Sequence, residues 1–254
     1  MEWKELAGNW VLIPDRPLAI IHFLGGAFVA TAPQVTYRLL LETMANNGFG
    51  IIATPFINTL DHEAIAQSVL VNFERGWQRL EAGLLKRRYV PIYGMGHSMG
   101  SKLHLLIGSL WQVERSGNIL ISYNNFSARR SIPFVEQFPT AFSVEFTPSP
   151  AQTDRLIQLN YQVRRNLLIQ FRNDEIDQTP SLQTILNGRF PDMVSFCRLP
   201  GNHLTPLGQD IKWQVGDSYS PIDAIGQFVK QEVFRDLGYL EKEILRWLDP
   251  FAFH

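Results

Sequence analysis

Six short stretches of this 254-residue chain are apolar on consecutive residues rather than on alternate ones: Leu18–Leu24, Gly50–Thr54, Val90–Tyr93, Asn118–Ser122, Asn166–Phe171 and Met193–Leu199. A strand with one wet face alternates, whereas a strand covered on both faces reads as a continuous apolar run. Helical patterns separate most of these runs. Val35–Asn46 has helical spacing and stops at Asn47-Gly48, a C-terminal signal. Asp61–Leu85 opens on Asp61 as a cap and repeats Ile65, Val69 and Phe73 at four-residue intervals. Met99–Val113 follows a glycine-rich turn, and Val229–Leu248 closes the series as an amphipathic helix. Strand and helix in alternation predict an α/β fold, a doubly wound and mostly parallel sheet with helices on both faces. Trp10–Ile13 reads as an added antiparallel edge strand.

A domain of this length buries about three quarters of the surface that its unfolded chain would expose, so its core can hold it together without disulfides. Cys197 is the sole cysteine, which suits a reducing compartment. The formal net charge is −1 and the pI about 6.6, so no global field favours nucleic acid or an anionic membrane. No apolar run reaches the roughly twenty residues of a membrane span, and MEWKELAGNW lacks the basic and apolar regions of a signal peptide. These features predict a soluble cytoplasmic protein without a nucleic-acid partner or transmembrane segment, peripheral membrane contact remaining open. Residues 1–254 read as a single domain. Two stretches, 123–165 and 204–227, break the rhythm with Pro, Ser, Asn and aromatic residues. The first is read as a lid or cap insertion.

Gly96-His97-Ser98-Met99-Gly100 fits G-x-S-x-G between a strand and a helix. A turn this sharp strains the serine backbone and needs small neighbours where strand and helix come close. It lifts the hydroxyl above the carboxyl ends of the strands, where open α/β sheets bind ligands. A serine hydroxyl is a poor nucleophile until a base takes its proton and an acid orients that base. With this elbow the chain order is serine, acid, histidine. Only His203 and His254 follow the serine helix. His254 is the last residue, while His203 sits just past the last predicted strand in Leu199-Pro200-Gly201-Asn202-His203. The acid is expected after Phe171, in Arg172-Asn173-Asp174-Glu175-Ile176-Asp177. Asp174 has the best offset, Asp177 is next and Glu175 third.

Acyl transfer also needs donors for the oxyanion. One is the N–H of Met99, the residue after the serine. The other is expected from Gly26 or Ala27, in His22-Phe23-Leu24-Gly25-Gly26-Ala27-Phe28. His97, at the variable position of the elbow, packs beneath the serine and borders the substrate together with Phe28, Phe126 and Phe134. The aromatic residues of 123–165, with Phe138, Phe142 and Phe146 among them, suit an apolar acyl chain. His62 and His104 read as structural, and the pairs Arg129-Arg130 and Arg164-Arg165 as solvated charge. No cluster has metal-ligand spacing, and no P-loop or dinucleotide fingerprint is present. No metal or cofactor is expected.

Together "GHSMG", "HFLGG", "RNDEID" and "GNH" resemble the α/β-hydrolase superfamily over nearly the whole chain. More narrowly, "IHFLGGAFVATAPQVTYRLLLE", "GHSMGSKLH" and "ISYNNFSARRSIPF" look like the domain of unknown function 1350 family of cyanobacteria and plant chloroplasts. The superfamily resemblance implies the fold and a Ser98, Asp174, His203 triad. The leading expectation is a serine hydrolase acting on an ester or thioester of a small-molecule acyl substrate through an acyl-enzyme. A second is a catalytically silent member of the fold that binds or assembles, since fold alone does not fix function. A third is a peptidase or amidase.

Overall fold

Eight strands form one sheet in the computed structural model, whose described residues are 1–83, 89–128, 145–208 and 230–249. The strands are β1 (Lys4–Leu6), β2 (Asn9–Leu12), β3 (Ala19–Leu24), β4 (Phe49–Ala53), β5 (Ile92–His97), β6 (Gly117–Ile121), β7 (Asn166–Phe171) and β8 (Val194–Leu199). Their order across the sheet is β1-β2-β4-β3-β5-β6-β7-β8. The pairs from β4 to β8 are parallel, and β1 and β2 join antiparallel at one edge. All six runs contribute to strands, and the expected edge strand Trp10–Ile13 is found as β2, shifted by one residue to Asn9–Leu12. The outermost strand, β1, was not expected.

The helices are α1 (Pro33–Thr36), α2 (Arg38–Asn46), α3 (His62–Ala82), α4 (Met99–Leu110), α5 (Pro150–Asn160), α6 (Thr179–Arg189) and α7 (Lys230–Leu248). On one face Leu40, Leu41 and Met44 of α2 join Leu237, Leu240 and Ile244 of α7 over Ile21, Phe23, Met95 and Ile121 of the sheet. On the other face α3 and α4 share a core of Ile65, Val69, Leu103 and Ile107. Leu105, Ile157, Leu182 and Leu186 bring α5 and α6 into the same layer over Leu120 and Leu168. These apolar faces on both sides explain the unbroken apolar runs. Arg165 is an exception to solvated charge, stacking on Trp247 at 3.9 Å and donating to the Trp247 carbonyl, which fastens α7. Arg129-Arg130 lie outside the described residues.

Three expectations need correction. The run Met193–Leu199 reads as buried, yet β8 ends the sheet and Phe196 is 38% exposed, because α7 covers only the face bearing Cys197 and Leu199. The helix expected over Val35–Asn46 is broken at Tyr37, whose φ of −114° and ψ of 20° separate α1 from α2. The stretch 123–165, read as a lid or cap insertion without regular structure, holds a core helix over Pro150–Asn160. Ser149 and Gln152 form a reciprocal capping box that starts α5, and Ile157 of this helix is fully buried in the core. Residues 150–160 are thus the crossover helix between β6 and β7. Residues 129–144, with Phe134, Phe138 and Phe142, lie outside the described residues.

Candidate active site

Ser98 stands between the central strand β5 and helix α4 with a φ of 54° and ψ of −117°, a conformation that costs a non-glycine residue about 1–3 kcal/mol. The surroundings hold it there. Its N–H donates to the Ile121 carbonyl at 2.8 Å, tying the turn to β6. Ser101 Oγ donates to the Gly96 carbonyl at 2.8 Å and accepts from the Ile121 N–H at 3.0 Å. A Cβ on Gly96 would lie 2.4 Å from the Gly100 carbonyl carbon, and one on Gly100 would lie 2.0 Å from the Leu24 carbonyl oxygen. Backbone meets backbone at both places, so only glycine fits.

The loop after β8 returns His203 to this serine. Gly201 turns with a φ of 116°, and Thr205 Oγ1 accepts from the Asn202 N–H at 2.9 Å. His203 Nε2 lies 3.0 Å from Ser98 Oγ, and His203 Nδ1 lies 2.8 Å from Asp174 Oδ2. The Asp174 side chain has no exposure. Burial alone would raise its carboxyl, but its bond to His203 and the attraction of that ring more than offset the burial and hold it below the usual carboxylate range. Asp177 goes elsewhere. It accepts from the Thr179 N–H at 2.8 Å, from Thr179 Oγ1 at 2.9 Å and from Gln170 Nε2 at 3.2 Å, starting helix α6. Glu175 has no place in the Ser98, His203 and Asp174 chain.

The glycine loop differs from its sequence reading. His22, Phe23 and Leu24 are in β3, and only Gly25 begins the loop. His22 is buried beneath the sheet, stacked on Phe73 at 4.1 Å and donating through Nε2 to Thr54 Oγ1. The Gly26 N–H is not free for an oxyanion, because it donates to Tyr37 Oη at 2.7 Å. Tyr37 is fully buried, which pushes its hydroxyl up, so that Oη keeps its proton and donates a hydrogen bond to His97 Nδ1 at 2.8 Å. His97 Nε2–H donates to the His203 carbonyl at 2.8 Å. A carbonyl only accepts, so this chain of bonds has one direction, from Gly26 through Tyr37 to His97. Burial pushes His97 down to about 3 and keeps it neutral. His97 therefore packs beneath the elbow, buried, with both its nitrogens engaged inside the protein and neither free to hold the substrate it was expected to border. Met99 and Ala27 remain as candidate donors, their N–H groups having no partner among the described residues. Tyr37→Phe strands two buried groups, and a loss of about 1–3 kcal/mol is expected in urea denaturation.

Phe28 is 75% and Ile57 is 74% exposed, on the loops that leave β3 and β4 at the same end of the sheet as Ser98. Phe126 is partly buried, and Phe146 stacks on His62 at 4.2 Å as part of the packing. His104 donates from Nε2 to the Met95 carbonyl at 3.2 Å, a structural role. Among the described residues no group of three His, Cys, Asp or Glu is placed to hold a metal ion, and no helix is long and apolar enough to cross a membrane.

A doubly wound sheet with a strained serine after its central strand, and a histidine and aspartate returned by the last two strands, is an α/β-hydrolase fold. The chain belongs to the family of proteins of unknown function DUF1350, whose model matches residues 2–250. Among solved structures it is similar to a soluble variant of the monoglyceride lipase of Saccharomyces cerevisiae, with a TM-score of 0.62, 13% identity and coverage of 98% of this chain and 94% of that one. It is similar also to the fluorophosphonate-binding serine hydrolase F of Staphylococcus aureus, with a TM-score of 0.55, 14% identity and coverage of 77% and 85%. The S-formylglutathione hydrolase of Staphylococcus aureus gives a TM-score of 0.53, 14% identity and coverage of 92% and 89%. No curated protein matches the chain.

Proposed function

We propose that this protein is a serine hydrolase that cleaves an ester or thioester through an acyl-enzyme. Ser98 attacks the acyl carbon, His203 takes the serine proton and returns it to the leaving group, and Asp174 holds the ring in the required tautomer. The N–H groups of Met99 and Ala27 receive the developing oxyanion. The observation that carries this reading is the continuous hydrogen-bonded line from Asp174 through His203 to Ser98, at 2.8 and 3.0 Å. Its members come from three segments far apart in the chain, and the backbone at Ser98 carries the kind of strain that clusters at active sites. The lipase and serine hydrolase among the similar structures support the same reaction class. Exposed Phe28 and Ile57 at the rim favour an apolar acyl group over a peptide.

A fluorophosphonate probe tests this directly. Wild-type protein is expected to be labelled at Ser98, with labelling abolished in Ser98→Ala and nearly so in His203→Ala. A folded wild type that takes no label would favour the binding or assembly role, in which the elbow is a relic.

A further inference from the structure

Asn124, three residues past β6, places Nδ2 3.0 Å from Ser98 Oγ. The neighbouring bonds fix the direction of this contact. The Asp174 carboxylate can only accept, so His203 Nδ1 carries the ring proton. Nε2 of the neutral ring is then an acceptor, and the Ser98 hydroxyl spends its one proton there. The serine oxygen has only lone pairs left for Asn124. The amide must therefore present N–H, and not its carbonyl, to Oγ.

The chain around Asn124 is tied down on both sides. The Ser122 N–H donates to the Ile169 carbonyl at 2.9 Å, and the Tyr123 carbonyl accepts from the Gln178 N–H at 2.7 Å. Asn125 is buried; its N–H donates to Gln178 Oε1 at 2.6 Å, and its Nδ2 reaches the Pro150 carbonyl at 2.9 Å and Asp154 Oδ1 at 3.0 Å. Strand β7 and the starts of α5 and α6 thus hold one side-chain amide against the serine oxygen. A hydroxyl already bonded to His203 has no structural need of it.

We propose that Asn124 is a catalytic residue, donating its N–H to Ser98 Oγ through both halves of the acyl cycle; this rests on the serine hydrolase reading. In acylation Oγ bonds to the acyl carbon, its proton passes to His203 Nε2, and the carbonyl π pair moves onto the carbonyl oxygen. The adduct then collapses, and the leaving group departs with the bonding pair and the proton from His203. In deacylation water adds to the same carbon and gives a proton to His203. The bond from Oγ to carbon breaks, its electron pair returns to Oγ, and His203 returns the proton. Oγ carries excess negative charge as the first half begins and as the second half ends. An N–H already fixed on that atom stabilises the charge at both moments without reorganisation. It also aims the hydroxyl proton at His203 beforehand.

The test is the rate of labelling by a fluorophosphonate, in which Oγ bonds to phosphorus, fluoride leaves and the serine proton goes to His203. Asn124→Ala is expected to label roughly tenfold to a hundredfold more slowly than wild type. Asn124→Asp keeps the shape but offers only acceptors, and is expected to be at least as slow as Asn124→Ala while retaining the wild-type melting temperature more closely. A space-filling or loop-ordering role predicts the opposite ranking, with Asn124→Asp the faster. That ranking, or wild-type labelling by either variant, would overturn the proposal. If Asn124→Ala does not fold, the comparison of Asn124→Asp with wild type decides. Failure of the serine hydrolase reading is separate, since wild type itself would then take no label, or Ser98→Ala would take as much.

Discussion

Asp174→Asn is expected to slow fluorophosphonate labelling of Ser98 by roughly 10,000-fold, with the fold intact. The carboxylate does two things that an amide cannot. It accepts from His203 Nδ1 at 2.8 Å, which leaves Nε2 bare and able to take the serine proton. It also stays ionised to balance the imidazolium that forms. An asparagine turns its NH₂ toward Nδ1 and drives the ring into the other tautomer, with Nε2–H facing Ser98. That ring cannot act as a base. Asp177→Asn is the internal control, because the two aspartates lie three residues apart in one loop. Its labelling rate is expected to stay near wild type. Burial pushes the Asp177 carboxyl up to about 6 in the folded protein. Such a group favours folding below its ordinary range and loses that contribution as pH rises through about 6. Urea denaturation should therefore show the stability of Asp177→Asn improving relative to wild type as pH rises through that window.

The second large effect is on folding. Gly100→Ala places a Cβ 2.0 Å from the Leu24 carbonyl oxygen, 2.6 Å from its carbon and 2.8 Å from the Gly25 carbonyl oxygen. None of these atoms is the end of a flexible side chain. Helix α4 must then move off strand β3, or the loop carrying Gly25 and Gly26 must leave its place above Tyr37. We expect destabilisation beyond about 4 kcal/mol in chemical denaturation, at the extreme of single substitutions. Any folded fraction should label poorly, because the loop of Gly25 and Gly26 no longer keeps its place beside Ser98. Gly188→Ala, in helix α6 with nothing within 4 Å of the added Cβ, is expected instead to stabilise by about 0.5–1 kcal/mol. Together the two variants separate crowding from helix propensity.

The parts of this fold visible in the sequence are those set by local periodicity or by a turn with one steric solution. Asn166–Phe171 is a strand in the structure with the same bounds as its apolar run. Asp61 caps α3 by accepting from the Ala64 N–H, as its position suggested. The serine, histidine and aspartate were legible because topology fixes their order and strand ends fix their loops. What was missed depends on contacts between distant segments. Nothing near Tyr37 in the sequence marks a helix break, since the break serves a bond to Gly26 and His97. Gly26 looked like an oxyanion donor because glycine pairs allow close approach, but the sequence does not say which N–H is already spent. Asn124 was one polar residue in an irregular stretch, with no spacing to connect it to a serine 26 residues earlier. The exposure of β8 was hidden because an apolar run does not reveal its rank in the sheet.

The left-handed backbone at Ser98 sets two kinds of selection against each other at a single position. The main chain there would be most at ease as glycine, while the proposed chemistry needs the one side-chain oxygen that glycine lacks. Improvement of stability alone would tend to erase the hydroxyl, and the neighbouring glycines would register nothing. A serine kept at this position carries a small standing cost in backbone strain, which only a use for its hydroxyl offsets.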